Sequence, residues 1–253
     1  MSSEPAITID TAPLSRLRVP VHLGVIMDGN GRWAKARGKR RTEGHIEGVK
    51  ALRTLVELCI NYGVRNVTVF SFSSENWTRP REEITFIFNL LRRFVASDLQ
   101  KLIRNNVRVR IIGARSGLEA SLVRLIDDVE AKTAINTGLT LIVAFNYGGK
   151  AEITDATRLI AREVAAGRLH PDDITEATIE RSLYTHGIPD PELIIRTSGE
   201  QRISNFLLWQ AAYSEFVFVE ENWPDFDEAS FLRVLQTFSL RDRRFGGVEA
   251  KLP

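Results

Sequence analysis

The strongest structural signal in this chain is the stretch VHLGVIMDGNGRWAKARGKRRTEGH, residues 21–45. Its part 23–27 is an apolar run of the length and composition typical of a buried parallel strand. Asp28 follows directly, the sequence Gly-Asn-Gly at 29–31 predicts a turn, and a helix is expected to open at Arg32. Because ligands of open α/β sheets bind outside the carboxyl ends of strands, we expect a functional site at this turn.

This turn has the properties of an anion-binding site that also uses a metal ion. Free backbone N–H groups at the start of a helix attract phosphate. The carboxylate of Asp28 would repel a phosphate unless a divalent cation lay between them. Six Lys or Arg residues and no acid occupy 32–41, a composition that favours a polyanionic ligand. The residues therefore predict a site for a diphosphate and a metal.

Other interpretations of the same residues stay open at this point. The segment 29–31 is also typical of an ordinary turn, and the basic run is also typical of a solvated face or a nucleic-acid patch. The sequence GNGRWA, which ends at Ala34, matches the dinucleotide-binding pattern GxGxxA. That pattern requires an acid about twenty residues later, at the end of the second strand. Here the acid in that position is Glu75, which comes too late.

Length and composition predict one domain built around a large core. The chain has 253 residues, 43% of them hydrophobic, and no linker, repeat or low-complexity tract divides it. We expect a flexible tail at 1–20, one folded domain at 21–247 and a second tail at 248–253. Because the net charge is only +2, a charged ligand must bind at a local cluster rather than to the molecule as a whole.

Cysteine usage and hydropathy favour a cytoplasmic location. The single Cys59 cannot form an internal disulfide, and it lies on one helical stripe with Ile46, Leu52 and Leu55, so we expect it to be buried. No apolar run is long enough to cross a bilayer, and no secretion signal precedes residue 21. The expected location is the cytoplasm, with peripheral association with a membrane.

Apolar runs rich in β-branched residues alternate with helical patterns along the chain. The alternation predicts a single α/β domain with a central, mostly parallel six-stranded sheet flanked by helices. The predicted strands are 21–27, 66–73, 107–112, 139–146, 193–197 and 216–219. The predicted helices are the one that opens at Arg32, then 44–62, 81–105, 118–132, 148–166, a short helix ending near Tyr184 and a last helix that starts at WPDF, 223–226.

The predicted helix 81–105 carries more apolar surface than packing on one side requires. Leu91 and Phe94 belong to its main apolar stripe, and Phe86 and Leu90 add apolar surface beside that stripe. From the pattern alone, this helix is deeply buried, forms a contact in a dimer or lines a hydrophobic tunnel.

Several separate segments occur in an order that resembles the cis-prenyltransferases. These segments are 21–45, SFSSENWTRP at 71–80, the stretch 190–220 with IIRTSGEQRISNFLLWQAAYSEF, WPDF at 223–226 and RDRRFGG at 241–247. The resemblance covers about 22–247, nearly the whole chain. It implies that the folded domain is a catalytic domain with the fold of that family. It also implies that the helix 81–105 lines a hydrophobic tunnel for the growing product.

The resemblance assigns substrate-binding roles to the residues that match the motifs. The site for the allylic diphosphate corresponds to Gly29, Asn30, Gly31, Arg32, Trp33, Arg41 and His45. The site for isopentenyl diphosphate corresponds to Arg196, Arg202, Ile203 and Ser204. Arginine suits this second site because its guanidinium group binds phosphate oxygens in paired hydrogen bonds.

The segment 73–79 is expected to be a loop that closes over the substrates and excludes water. The resemblance makes Asn76 a catalytic residue associated with proton removal. The matching substrate contacts are Ser73, Ser74, Glu75, Trp77 and Arg79. Taken alone, Trp77 is also typical of core packing.

Asp28 and Glu215 are the predicted metal ligands. Carboxylate and phosphate oxygens suit Mg²⁺, which binds few protein groups and keeps several waters, whereas the His/Cys cluster typical of zinc is missing from the sequence. Because both acids lie at strand ends, we expect them to converge at one edge of the sheet. The resemblance assigns both residues to magnesium and makes Asp28 the central catalytic residue.

The resemblance also implies a reaction, a product and a partner. The expected reaction is the Mg²⁺-dependent condensation of isopentenyl diphosphate with farnesyl diphosphate, which gives a long-chain Z-polyprenyl diphosphate. The expected product is undecaprenyl diphosphate, a precursor of the lipid carrier for cell-wall synthesis, delivered to the membrane. Arg244 and Gly246 match an Arg-x-Gly signature that reaches across a dimer in the family, which predicts a homodimer.

Four other functions stay open from the sequence. One is a cis-prenyl diphosphate synthase that makes a shorter or a longer product. Another is a non-catalytic subunit of the same fold, which the presence of Asp28, Arg32, Arg41 and His45 disfavours. The remaining two are a dinucleotide enzyme and a nucleic-acid-binding module. The low net charge outside the basic run disfavours the last, so we expect no nucleic-acid partner.

Overall fold

The structure, a computed structural model, describes residues 17–241. Its strands are β1 (His22–Ile26), β2 (Asn66–Ser73), β3 (Arg108–Ile112), β4 (Thr140–Tyr147), β5 (Leu193–Arg196) and β6 (Glu215–Phe218). They form one sheet in the order β3-β4-β2-β1-β5-β6, and every pairing in it is parallel. The predicted α/β fold with six strands is confirmed, and the sheet is entirely parallel.

Helices connect the strands from β1 to β5, whereas the connection from β5 to β6, residues 197–214, contains no helix. The helices are α1 (Asn30–Ala36), α2 (Arg41–Tyr62), α3 (Arg81–Arg104), α4 (Ala120–Thr133), α5 (Gly149–Ala165), α6 (Glu176–Ser182) and α7 (Glu228–Ser239), and short 3-10 turns lie at Ser74–Thr78, Pro171–Asp173 and Trp223–Asp225. The prediction that WPDF starts the last helix is wrong. That segment forms its own turn, and α7 begins after Asp227, whose side chain accepts a hydrogen bond from the Ser230 N–H and so caps the helix.

The sheet has a hydrophobic core on each face because successive strand residues point to opposite sides. On one face, Leu23, Val67 and Leu141 pack with side chains of α2, α3, α4 and α7. On the other face, Ile194 packs with Phe206 and the segment around it. Helix α5 joins this second side, where its Glu152 accepts a hydrogen bond from the Tyr147 hydroxyl.

The first two helices lie very close together because α2 carries glycine at the contact. A Cβ atom at Gly44 would lie 2.1 Å from the backbone oxygen of Asn30, and one at Gly48 would lie 2.4 Å from the Asn30 side-chain oxygen. Neither position therefore has room for a side chain. This packing fixes α1, and with it the turn that precedes α1, against α2.

Helix α2 buries the predicted stripe with one exception. Cys59 is fully buried, as expected, and burial raises the pKa of its thiol. Ile46 was expected on the same buried stripe, but 40% of it is exposed.

The carboxyl ends of three neighbouring strands meet at one edge of the sheet. Ile26 of β1 is in register with Phe70 of β2 and with Arg196 of β5. The residues that follow these strands therefore lie side by side, as the general rule for ligand sites in parallel sheets requires. Within 17–241, no helix is both long and apolar enough to cross a membrane.

Candidate active site

The turn after β1 holds Asp28 at the centre of the sheet edge. The Asp28 N–H donates to the hydroxyl of Thr197, which follows β5, and the Asp28 carbonyl accepts from the N–H of Trp223. Gly29 has a φ of 101°, and a Cβ atom there would lie 2.3 Å from the Asn222 side-chain oxygen. Only glycine fits both that backbone conformation and that space.

Two arginines hold the carboxylate of Asp28. One oxygen lies 2.7 Å from Nη2 of Arg196, and the other lies 3.1 Å from Nη2 of Arg32 and accepts the Gly29 N–H at 2.7 Å. Burial by itself raises the pKa of Asp28, but hydrogen bonds and charge from Arg196 and then Arg32 outweigh it, so the pKa lies below its usual value. Asp28 is therefore an anion at neutral pH.

Arg196 organises the segment that follows β5. Its Nη1 donates to the backbone oxygen of Arg202 at 2.6 Å and to the hydroxyl of Ser204 at 2.7 Å. The side chain is nearly inaccessible, and its Nε is buried without a hydrogen-bond partner in the described chain. The residues Arg196, Arg202 and Ser204, predicted from sequence as one site, do lie together.

A second ionic cluster lies across the site and is centred on Glu83. Its carboxylate lies 2.9 Å from Nη1 of Arg79, 3.1 Å from Nε of Arg41 and 3.5 Å from Nε2 of His45. The cluster joins the loop before α3 to the beginning of α2. Sequence reasoning missed Glu83, although its spacing of four residues from Arg79 is a signal for an ion pair.

The imidazole of His45 is held in its neutral form within this cluster. Burial lowers its pKa, and the charges of Arg79 and Arg41 act in the same direction, while Glu83 opposes them. Its Nε2 is buried and makes no hydrogen bond with another described residue. A neutral imidazole is able to accept a proton, and the Glu83 carboxylate 3.5 Å from Nε2 would stabilise the charged form.

The loop after β2 folds into a compact 3-10 turn. The Ser73 N–H donates to Oδ1 of Asn76 at 3.1 Å, and the Glu75 N–H donates to the Ser73 hydroxyl at 3.2 Å. Glu75 also accepts from Nδ2 of Asn205 at 2.6 Å, which links this turn to the segment that follows Ser204. The two predicted substrate-binding segments therefore contact each other.

One cavity of about 920 Å³ contains most of the predicted site. Its mouth is polar and is lined by Asp28, Gly29, Asn30, Gly31, Arg32, Arg41, His45, Ser73, Asn76, Arg79, Arg196, Arg202 and Ser204. Its inner part is apolar and is lined by Val49, Leu52, Val69, Ile87, Leu90, Leu91, Phe94 and Val143. The cavity thus has an ionic end and a hydrocarbon-like end.

Five predicted substrate-binding residues do not line this cavity. They are Trp33, Ser74, Glu75, Trp77 and Ile203. Trp33 is buried, and its indole N–H donates to Asp225 at 2.7 Å. Trp77 is 41% exposed, and its indole N–H donates to Oδ1 of Asn146 at 2.8 Å. Both indole groups are thus bonded to residues that do not line the cavity.

The expected convergence of Asp28 and Glu215 in one chain is wrong. Glu215 is the first residue of β6 and is in register with Leu193, which in turn is in register with Leu23. It therefore lies at the amino end of a parallel strand, whereas Asp28 follows the carboxyl end of β1. The Glu215 carboxylate lies 2.9 Å from Nη1 of Arg241. The two acids of one chain cannot share a metal ion.

Magnesium fits the remaining donor set. Within 17–241, no group of three or more His, Cys, Asp or Glu side chains is placed to hold a metal ion. Asp28 supplies one ionised carboxylate that faces the cavity, among arginines that attract phosphate. That arrangement fits a Mg²⁺ ion that takes its other ligands from diphosphate oxygens and water. Arg244 and Gly246, the predicted dimer signature, lie outside the described residues.

The fold and the cavity define a class of α/β enzyme that binds molecules with an anionic head and an apolar tail. Residues 26–246 match the model of a family described as "Putative undecaprenyl diphosphate synthase". This chain belongs to that family, the cis-prenyltransferases, and is a prenyl transferase.

Two similar proteins support this assignment. An isoprenyl transferase of Agrobacterium fabrum is 54% identical over 92% of this chain and 95% of its own length. Dehydrodolichyl diphosphate synthase 2 of Arabidopsis thaliana is 51% identical over 90% of this chain and 74% of its own.

Solved structures share the fold. Lavandulyl diphosphate synthase from Lavandula x intermedia, in complex with dimethylallyl diphosphate, has a TM-score of 0.87 at 38% identity and covers 90% of this chain and 98% of its own. A probable undecaprenyl diphosphate synthase from Campylobacter jejuni has a TM-score of 0.75 at 35% identity, with 91% of this chain and 100% of its own covered.

Proposed function

We propose that this prenyl transferase condenses isopentenyl diphosphate with farnesyl diphosphate in a Mg²⁺-dependent reaction. In each round a carbon–carbon bond forms between the two substrates, the allylic carbon–oxygen bond breaks, diphosphate leaves and a proton is lost. Repeated rounds give a long-chain Z-polyprenyl diphosphate. We infer undecaprenyl diphosphate, a precursor of the cell-wall lipid carrier, as the product, in keeping with the family description.

The observation that carries this proposal is the two-ended cavity. Arg32, Arg41 and Arg196 surround its mouth, while Leu52 and Leu91 belong to its apolar interior. A prenyl diphosphate has the same division, with a multiply charged head and a hydrocarbon tail. A nucleic acid or a dinucleotide has no tail to bury in such an interior, so the cavity favours a prenyl substrate over those ligands.

The arginines divide into two groups that suit two headgroups. Arg41 and Arg79, with His45, form the group at the start of α2 and α3, where we place the allylic diphosphate. Arg196 and Arg202 form the group after β5, where we place isopentenyl diphosphate. Guanidinium groups bind phosphate oxygens in pairs and so fix the orientation of each headgroup.

Asp28 lies beside the second group, where it contacts Arg196, and it also contacts Arg32 of α1. Its ionised carboxylate faces the cavity and would hold Mg²⁺ together with diphosphate oxygens. When bound, the ion would neutralise charge that builds up on the leaving diphosphate, an effect worth several kcal/mol. The carboxylate also balances the charge of Arg196 and keeps that side chain in place when no substrate is bound.

Two residues are positioned to handle the proton. His45 has a lowered pKa, so its imidazole is neutral and able to accept a proton at neutral pH. Asn76 also lines the cavity, but a neutral amide is a poor base. We therefore assign proton acceptance to His45 or to the leaving diphosphate, with Asn76 orienting the substrate.

A homodimer and delivery of the product to a membrane belong to the same proposal. Arg244 and Gly246 match a signature that reaches across a dimer in the family, and this match supports the homodimer. A product with a long hydrocarbon tail needs a membrane as its final location, and we infer that a cytoplasmic enzyme would release it at the membrane surface.

The direct test is an assay of the purified chain with labelled isopentenyl diphosphate, farnesyl diphosphate and Mg²⁺, followed by sizing of the lipid products. We expect elongated lipids with Mg²⁺ and none after its removal with a chelator. A chain that makes no product alone, but stimulates an active relative, would instead be a non-catalytic subunit.

The variant Asp28→Asn tests the role of the carboxylate. It keeps the shape of the side chain but removes its charge, so we expect turnover to fall roughly 100-fold or more. The matched control is Asp127→Asn, an exposed acid on α4, which should keep full turnover. Circular dichroism checks that both variants are folded. Unchanged turnover in folded Asp28→Asn would overturn this mechanism.

A further inference from the structure

Asn205 lies at the point where three segments of the protein meet. It follows Ser204, whose hydroxyl accepts a hydrogen bond from Arg196 at 2.7 Å. A Cβ atom at Gly148 would lie 2.7 Å from the Asn205 amide nitrogen and 2.3 Å from the Ser74 hydroxyl oxygen. The segment after β5, the loop after β2 and the start of α5 are therefore in close contact here.

The position of Asn205 is fixed by contacts with α5. Its backbone oxygen accepts the Gly149 N–H at 2.7 Å, and its Oδ1 accepts the Lys150 N–H at 2.8 Å. Both N–H groups belong to the first turn of α5, where a helix offers them no partner of its own. Ser204 and Asn205 have φ values of 49° and 65°, a left-handed conformation that surrounding contacts must stabilise in residues other than glycine. The Asn205 side chain is thus held in place independently of the loop after β2.

The amide nitrogen of Asn205 faces that loop. Its Nδ2 donates to Oε1 of Glu75 at 2.6 Å, Oε2 of Glu75 accepts from the Ser73 hydroxyl at 2.6 Å, and the Ser73 N–H donates to Oδ1 of Asn76. Burial by itself raises the pKa of Glu75, but hydrogen bonds from Ser73 and then Asn205 outweigh it, so the pKa lies below its usual value. Glu75 is therefore an anion at neutral pH, and a hydrogen bond to an anion is a strong one. A continuous series of hydrogen bonds runs from Asn205 to Asn76.

We propose that Asn205 is a positioning residue that couples the isopentenyl diphosphate site to the loop 73–79. Asn205 does not line the cavity, so it acts through Glu75 and Ser73 rather than on a substrate. It fixes the loop so that Asn76 keeps its place beside the substrates, and a small displacement of such a group costs a large factor in rate. This inference rests on the proposed function, because it explains how the two substrate sites of one cavity are kept in register.

The variant Asn205→Asp separates the two contacts of the side chain. It keeps an oxygen for the Lys150 N–H, but it removes the donor and places a second negative charge against Glu75. We expect kcat to fall roughly tenfold, since a hydrogen bond to a charged group is lost. The KM for isopentenyl diphosphate should stay within about twofold, because the contacts of Arg196 are unchanged. Asn61→Asp adds the same charge at an exposed position of α2, so it is the matched control and should keep both values.

A raised KM for isopentenyl diphosphate with an unchanged kcat would overturn the coupling. That result would mean that Asn205 only shapes the isopentenyl diphosphate site. Circular dichroism checks that the variants are folded.

Reversing the polarity of the contact tests the hydrogen bond itself. In the double variant Asn205→Asp with Glu75→Gln, the amide introduced at position 75 donates to the carboxylate introduced at position 205. The link is thus restored with donor and acceptor exchanged. We expect the kcat of the double variant to exceed that of Asn205→Asp by about threefold or more. Equal kcat values in these two proteins would contradict the proposed link.

Hydrogen exchange followed by mass spectrometry measures the contact without catalysis. In the protein without substrates, the N–H groups of 73–79 should exchange about tenfold faster in Asn205→Asp than in the wild type. The N–H groups of 149–153 should exchange at the same rate in both proteins, because the contact with α5 is kept. The double variant should recover the slower exchange of 73–79, and Asn61→Asp should match the wild type throughout.

The outcomes separate the coupling from the proposed reaction. If the wild type makes no lipid product, the proposed function fails, and hydrogen exchange still decides whether Asn205 holds the loop. If the wild type is active and Asn205→Asp keeps its kcat, the coupling is wrong and the reaction stands, whether or not exchange of the loop changes. If Asn205→Asp does not fold, Glu75→Ala, at an exposed position, removes the same hydrogen bond and decides in the same way.

Discussion

The Glu83 carboxylate lies among Arg41, Arg79 and His45, at the place where we put the allylic diphosphate. An anion that belongs to the protein therefore occupies part of a site that suits an anionic ligand. Its position on the first turn of α3 links this contact to the loop 73–79. A diphosphate that binds Arg41 and Arg79 must displace Glu83 or share its partners.

The variant Glu83→Gln should bind inorganic diphosphate more tightly. It removes the competing charge and keeps the size of the side chain, and because Arg41 is largely exposed we expect a gain of up to about fivefold. Calorimetric titration with inorganic diphosphate measures it. Glu82→Gln, the exposed neighbour on the same turn, is the control and should bind as the wild type does. Weaker binding by Glu83→Gln would mean that Glu83 organises the cations for the ligand.

At the scale of single residues, sequence reasoning found the groups whose signal is local. Asp28 and Arg196 each lie at the end of an apolar strand, and that position alone brings them to one edge of a parallel sheet. Glu83 was missed because an acid in the first turn of a helix is common for reasons of helix polarity. Glu215 was misplaced because the polarity of the strand was overlooked: the predicted strand 216–219 already puts it at an amino end, whereas Asp28 follows a carboxyl end.

Close packing of helices is the main feature at the scale of elements. The contact of α1 with α2 depends on Gly44, where a Cβ atom would lie 2.1 Å from a backbone oxygen of α1. A side chain there forces the two helices apart. Because α1 carries Arg32, any such movement changes the mouth of the cavity.

We expect Gly44→Ala to lower the free energy of unfolding by on the order of 1 kcal/mol. Alanine is favoured over glycine in a helix by about 1 kcal/mol, but the clash is with backbone, so the cost of overpacking, typically about 1–3 kcal/mol, is the larger effect. Urea unfolding measures the difference. Thr54→Ala, an exposed change on α2, should stay within about 0.5 kcal/mol of the wild type. Equal stability of Gly44→Ala and Thr54→Ala would contradict the packing argument.

The elements themselves followed from the sequence to within a few residues. The strand 66–73 was predicted with its observed bounds, and the helix 81–105 ends one residue earlier, at Arg104. Local patterns suffice here because apolar periodicity and the residues that end helices act over short distances. The turn at Trp223–Asp225 was not predicted, since it depends on contacts with distant residues, such as the hydrogen bond from the Trp223 indole to the oxygen of Gly48.

At the scale of the whole molecule, the order of the strands could not be predicted from local patterns. β1 lies between β2 and β5, and these partners are separated from it by very different lengths of chain. The partnership of β1 with β5 is what brings Asp28 to Arg196. Such long-range pairing depends on how the whole core packs. No short segment of the sequence contains that information.

Acid should destabilise the fold through His22. This residue is buried between Pro189 and Thr68, and burial lowers its pKa from 6.5 to about 4. Between those values the unfolded chain binds a proton on His22 that the folded chain does not, so stability that is present above pH 6.5 is lost as the pH falls towards 4. The shift corresponds to roughly 3 kcal/mol.

Urea unfolding at pH 7 and at pH 4 measures this effect. The wild type should lose roughly 3 kcal/mol more than His22→Gln over that range. His186→Gln, which changes an exposed histidine, should keep the pH dependence of the wild type. The same loss of stability in all three proteins would show that other groups govern the response to acid.

The contact of the Asp28 carboxylate with two arginines couples the binding of the two substrates. Arg196 of β5 and Arg32 of α1 hold its two oxygens, so each oxygen has a partner on a different element. A first headgroup that draws one arginine away leaves the carboxylate with a single partner, which alters the affinity for the second headgroup. Thermodynamic reciprocity then requires the second ligand to alter the first by the same factor, so the two substrates are expected to bind with heterotropic cooperativity.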